Sequence, residues 1–80
     1  MPRQQLNGYL AALRVVELLT ARERQVLAQV IAGASNKVAG RRLGISPRTI
    51  EVHRAHIMEK LGAKNAADLV RIALDLEQPH

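Results

Sequence analysis

The chain is predicted to be all-α: four short helices preceded by one further helix at the N-terminus. Three observations carry this reading. Apolar residues recur at spacings of three and four, the period of a helix with one buried face. Hydroxyl and amide side chains stand where helices would begin, and glycines where they would stop. No strand-length alternation of β-branched residues, internal repeat or low-complexity stretch interrupts that pattern.

Residues 6–18 place Leu6, Tyr9, Leu10, Leu13 and Val16 on one stripe, so residues 1–18 read as an amphipathic linker helix, weakened near its start by Gly8. Its stripe needs a cover: the core of this domain, a second copy, or an upstream domain. Residues 19–76 form the domain proper. Thr20-Ala21-Arg22-Glu23 reads as a capping box, in which hydroxyl and carboxylate each satisfy an orphan amide. The helix that follows buries Val26, Leu27, Val30 and Ile31, and Gly33 stops it. Ser35 caps a short helix ending at Gly44, with Val38, Ala39 and Leu43 inward. Gly40 costs that helix about 1 kcal/mol relative to Ala, and the small residues there imply close approach to the neighbouring helix. Ser46 caps the next, with Pro47 where a missing N–H costs nothing and Thr49 near the free amides. It runs to Leu61 and ends at Gly62. Asn65, with Asp68 three residues on, caps the last helix. Leu69, Ile72, Ala73 and Leu76 can face the core there. Ala66, Val70 and Leu74 form a second apolar face, which suggests a dimer contact.

Eighty residues make one domain with a core too small for a roomy active site, which disfavours an enzyme. Without cysteine there is no disulfide framework and no thiolate metal site, as suits a reducing compartment. No apolar run approaches the roughly 18 residues of a spanning helix, and the N-terminus does not read as a signal peptide. A cytoplasmic protein with no membrane partner is expected. Tyr9 is the only aromatic residue, so the stacking platforms used on single strands and RNA loops are absent.

Charge narrows the class of partner. Within residues 35–64, Lys37, Arg41, Arg42, Arg48, Arg54, Lys60 and Lys64 face only Glu51 and Glu59, while outside it five basic residues balance five acidic ones. The entire net charge of +5 therefore lies in one segment. A clustered basic surface fits a polyanion. Two short helices joined by a tight turn, the second entering with its N-terminus exposed, are how a helix-turn-helix offers a reading helix to the major groove of duplex DNA.

On a helical wheel, Ile50, Ile57 and Leu61 of the reading helix, flanked by Met58, face the core. Arg48, Val52, Ala55 and Glu59 lie opposite, with Glu51 and His56 beside them, and those nearest the N-terminus are the base-edge candidates. Thr49 and His53 fall on the flank where phosphates would pass. Arg54 sits at the core edge, where it would snorkel or pair with an acid such as Glu23. Glu51 has two readings: accepting from a cytosine amino group, or pairing with Arg48 or Arg54 for about 0.2–0.5 kcal/mol. Val52 and Ala55 suit a thymine methyl or a close backbone approach. His53 and His56, three residues apart without a third ligand, make a weak metal site, and no residues form a catalytic constellation or a cofactor loop.

These residues resemble the C-terminal DNA-binding domain of the LuxR family of bacterial transcription regulators, in its FixJ-like response-regulator branch. Leu19-Thr20-Ala21-Arg22-Glu23-Arg24-Gln25-Val26-Leu27 is similar to the opening signature of the family. Gly33-Ala34-Ser35-Asn36-Lys37 is similar to the start of its scaffold helix, and residues 45–54 to its recognition helix. Lys60-Leu61-Gly62-Ala63 and the stretch from Ala66 onward match the remainder. The resemblance implies a four-helix domain that binds a two-fold symmetric site on double-stranded DNA as a homodimer through its last helix, with RNA polymerase a partner of the whole regulator. By the same resemblance Glu51, Val52 and Ala55 are base-reading positions, while Ser35, Lys37, Thr49 and His53 touch the DNA backbone. The family branch also implies a receiver domain upstream, so the chain is read as an effector fragment or as a stand-alone regulator. A helical protein-interaction module with an incidental basic surface is the competing reading from another class.

Overall fold

The computed structural model describes residues 17–77. The linker helix expected over 1–18 lies outside them, apart from Glu17 and Leu18, which are helical. Four further helices follow among the described residues: α1 (Ala21–Ile31), α2 (Asn36–Leu43), α3 (Pro47–Leu61) and α4 (Ala66–Glu77). The all-α expectation therefore holds.

Each helix starts at a side-chain cap. Thr20 Oγ1 accepts from the Glu23 amide at 3.1 Å, Ser35 Oγ from Val38 at 3.2 Å, Ser46 Oγ from Thr49 at 3.1 Å, and Asn65 Oδ1 from Asp68 at 2.8 Å. At Thr20 the box is closed, since the Thr20 amide donates to Glu23 Oε1 at 2.9 Å. The first three helices also stop alike. Gly33, Gly44 and Gly62 take φ of 80°, 72° and 71°, and the next amide reaches back to a carbonyl five residues earlier: Ala34 to Gln29, Ile45 to Gly40, Ala63 to Met58. This is the Schellman arrangement, and Ala34, Ile45 and Ala63 then pack against the core.

That core joins Leu19, Val26, Leu27, Val30, Ala39, Ile50, Ile57, Leu69 and Ala73. Ile50, Ile57, Leu69 and Val26 are its largest fully buried side chains, so all helices but α2 contribute one. Leu61 and Met58 pack at its margin as the wheel predicts, and so do Ile31 and Leu43. Two faces need correction. Val38, expected inward, is only half-buried while Ala39 beside it is buried. On α4, Val70 of the second apolar face is half-buried and packs in part against the core, whereas Ile72, expected in the core, is half-buried too. An apolar stripe that wraps most of a helix does not reveal which part the neighbours reach. The side chain of Leu76 lies outside the described ones. Ala66 and Leu74 stay exposed, Leu74 by 41%.

Gly40 explains the approach of α2 to α3. A Cβ built there would lie 2.5 Å from the Ile45 carbonyl oxygen and 3.3 Å from Pro47 N, so the close contact is with the turn and the first residue of α3. Gly40→Ala is therefore expected to destabilise the fold by about 1–3 kcal/mol through overpacking against backbone, despite its better helix propensity. Urea denaturation checks this; a more stable variant would mean the turn yields.

Glu23, only 3% exposed, is the one charged side chain buried among the described residues. Its Oε1 accepts from Lys60 Nζ at 2.6 Å, tying the start of α1 to the last turn of α3. The Lys60 hydrogen bond and the Thr20 amide hold the Glu23 carboxyl below its ordinary value, against the opposing effect of burial. With the folded value below the unfolded one, the resulting stability is complete above the unfolded value, about 4.5, and is lost as pH falls through the folded one. Lys60→Met should cost about 1–3 kcal/mol at neutral pH. The gap to wild type should narrow below about pH 4.5. Comparing the two proteins isolates this pair from Asp68, whose carboxyl is also lowered, by the Lys64 amide and then by Arg71.

Candidate nucleic-acid interface

The short turn from Gly44 to Ser46 delivers α3 with its N-terminal half in solvent. Arg48, Thr49, Glu51, Val52, Ala55 and His56 are all exposed, Val52 by 43%, while Ile50 and Ile57 on the opposite side are sealed. The wheel thus separates the exposed from the buried face correctly. Arg48 Nη1 and Glu51 Oε2 stand 4.0 Å apart on well-solvated side chains, a loose pair of little energetic weight. Of the two arginines considered for Glu51, Arg48 is the one within reach.

Hydroxyls at two predicted backbone contacts are partly committed. Ser35 Oγ caps α2, and a hydroxyl that accepts in this way keeps its proton free to donate outward. Thr49 Oγ1 lies 2.9 Å from Ser46 Oγ, so the two hydroxyls share a bond above the start of α3. Lys37 is exposed in the first turn of α2. His53 is half-buried, and its Nδ1 is enclosed with no hydrogen-bond partner. His53 and His56 belong to no group of three or more potential metal-ligating side chains among the described residues.

Arg54 does serve the fold, but not through Glu23. Its Nη1 donates to Asn36 Oδ1 at 3.0 Å, locking α3 against the first turn of α2, while Glu23 is taken by Lys60. Sequence reading missed Asn36 in this role because the partners lie 18 residues apart. The charge count of the segment also includes Lys60, whose buried partner the sequence does not announce, and Arg54, which the wheel already sets at the core edge. Arg54, turned onto α2, is half-buried, and of the exposed cations Lys37, Arg41, Arg42, Arg48, Lys60 and Lys64, Lys60 is held at the buried Glu23 carboxylate. No described helix is long and apolar enough to cross a membrane.

Comparison with known proteins places this geometry. The family described as bacterial regulatory proteins, luxR family, matches residues 17–73. The transcriptional regulatory protein FixJ of Rhizobium meliloti is 54% identical over 59 residues, covering 74% of this chain and 29% of that protein. The C4-dicarboxylate transport transcriptional regulatory protein DctR of Rhodobacter capsulatus is 50% identical, covering 82% of this chain and 37% of its own length. UhpA, a transcriptional regulatory protein of Escherichia coli, is 47% identical over 71% of this chain and 29% of its own. A crystal structure of full-length FixJ from B. japonicum superposes with a TM-score of 0.81 at 44% identity, covering 94% of this chain and 36% of that one. The chain thus spans well under half of these relatives. Through its helices and its sequence alike it belongs to the luxR family of bacterial regulatory proteins and carries the DNA-binding helix-turn-helix of that family.

Proposed function

We propose that this domain binds a specific site on double-stranded DNA and so acts in bacterial transcription regulation, with α3 in the major groove. The observation that carries the reading is the exposed face of α3: Arg48, Glu51, Val52, Ala55 and His56 stand in solvent with no structural duty beyond the loose Arg48–Glu51 pair. A large apolar side chain left open among polar ones, as Val52 is, suits a thymine methyl. Glu51 is free to accept from a cytosine amino group. Ser35, Lys37, Thr49 and His53 flank this face and serve the phosphates. The names of the relatives support transcription regulation, and RNA polymerase is the partner such a regulator addresses at a promoter.

The two kinds of contact separate experimentally. Lys37→Ala should weaken binding to all duplexes nearly equally and shrink the log–log salt slope by about one unit or less. Glu51→Ala and Val52→Ala should instead relax the preference at particular base pairs, by about 1–3 kcal/mol for a good base contact and less for a methyl contact. Selection from random duplexes, followed by salt titration of the selected site, measures both. Recovery of the same site with equal stringency from both Glu51 and Val52 variants would remove them as readers. Binding that ignores salt would favour the protein-interaction reading.

Pairing of two copies through α4 belongs to the same proposal. Leu74 is exposed with Ala66 on the same helix, and Val70 is only half-covered by the core. Two copies would meet half-sites about one helical turn apart. Leu74→Asp should abolish association on inverted-repeat DNA while leaving helicity intact, because Leu74 is not part of the core. Sedimentation and circular dichroism test this; a wild type that remains monomeric on such DNA would refute pairing.

A further inference from the structure

Arg41 has no task in the described part of the fold. It is exposed, and among the described residues no hydrogen bond or ion pair engages it. Arg42, its neighbour, is turned the other way and donates from Nη1 to Gln29 Oε1 on α1 at 2.9 Å. The surface of α2 explains the difference. Asn36 and Gly40, four residues apart, form the stripe that meets α3, through Arg54 and through the Ile45–Pro47 backbone. On one side of that stripe Ala39 and Leu43 turn to the core. On the other, each rotated by about 100° from the stripe residue before it, come Lys37 and Arg41.

The same boundary exists on α3. Pro47 and Arg54 meet α2, and Ile50 and Ile57 lie to the core side of them. Glu51, Ala55, Arg48 and Val52 follow on the open side. The open sides of the two helices therefore share one solvent-facing corner. Lys37 and Arg41 border the exposed face of α3 along it, about 6 Å apart along the α2 axis.

We propose that Arg41 is a second anchor for the DNA phosphate backbone, one turn beyond Lys37, so that α2 grips a strand at two points. The inference rests on the duplex-DNA reading above. A guanidinium is suited to the task because its forked donors match phosphate oxygens, and an unpaired one gives up no intramolecular bond on binding. Its position in the last turn of α2 also favours a cation near the helix C-terminus, but Arg42 shares that turn and that benefit.

Arg42 supplies the control. The 80-residue chain is titrated with a mixed-sequence duplex across about 0.05–0.2 M salt. Arg41→Gln should shrink the log–log salt slope by about 0.9, so that its deficit against wild type is about 3.5-fold larger at the lowest salt than at the highest. Arg41→Lys should retain the wild-type slope. Arg42→Gln removes the same charge but should leave most of the slope, and Arg41→Gln should melt with the wild type. Equal losses from Arg41→Gln and Arg42→Gln would reduce the effect to net charge and overturn the anchor. An unchanged slope in Arg41→Gln, with wild type binding normally, would overturn it alone. Wild type without salt-dependent duplex binding would overturn the DNA reading itself, and Arg41 with it.

Discussion

The position of the recognition helix depends on the absence of one side chain. At Gly40 the backbone of α2 comes so near the Ile45 carbonyl that a methyl group would stand 2.5 Å from it, and a side chain there would push the turn and the start of α3 away. The same glycine supplies the carbonyl that receives the Ile45 amide at 2.9 Å. One residue therefore gives the turn both its room and its hydrogen bond. Ile45, seated against the core by this geometry, carries the chain into Ser46, whose hydroxyl opens the next helix. Asn36, one turn earlier, adds the Arg54 clasp, so α2 and α3 are fixed together at both ends of their contact.

Polar contacts finish what this backbone contact begins. The Glu23–Lys60 pair joins the start of the first helix to the end of the recognition helix across 37 residues of sequence. A carboxylate this enclosed is tolerated only because an ammonium and a backbone amide meet the same oxygen. Its energetic return over an apolar pair is small, whereas removing either partner alone strands the other. The short core, in which α1, α3 and α4 each provide fully buried residues and α2 only the small Ala39, leaves α2 packed chiefly on α3, with α1 as its second neighbour.

What could be read in advance follows from distance along the chain. Caps and stops are local chemistry, decided within about five residues, and Thr20, Ser35, Ser46, Asn65 and the three terminal glycines were legible for that reason. The two faces of α3 were legible too, because Ile50 and Ile57 leave only one direction for the core. Contacts made over long separations were not. Nothing in the spacing of Asn36 and Arg54, or of Glu23 and Lys60, announces that they meet, and the basic segment was credited with cations the fold had already used. On α4, Val70 and Ile72 are both half-buried, and a helix apolar on two sides gives no internal clue to how far its neighbours reach. The exposure of the proposed reading positions was thus legible, whereas the allotment of arginines and lysines between fold and surface required coordinates.

The division of labour on α3 has a bearing on how such proteins diverge. Ile50, Ile57 and Arg54 are bound into the fold, whereas Val52, Ala55 and His56 hold nothing in place and Glu51 only a loose partner. Exchanging the latter group leaves the core and the caps untouched, and surface replacements of that kind usually shift stability by no more than about 0.5 kcal/mol. A lineage carrying this scaffold can therefore wander through many surface alphabets without crossing a region of unfolded intermediates, each step judged by what the helix faces and not by whether the helix survives.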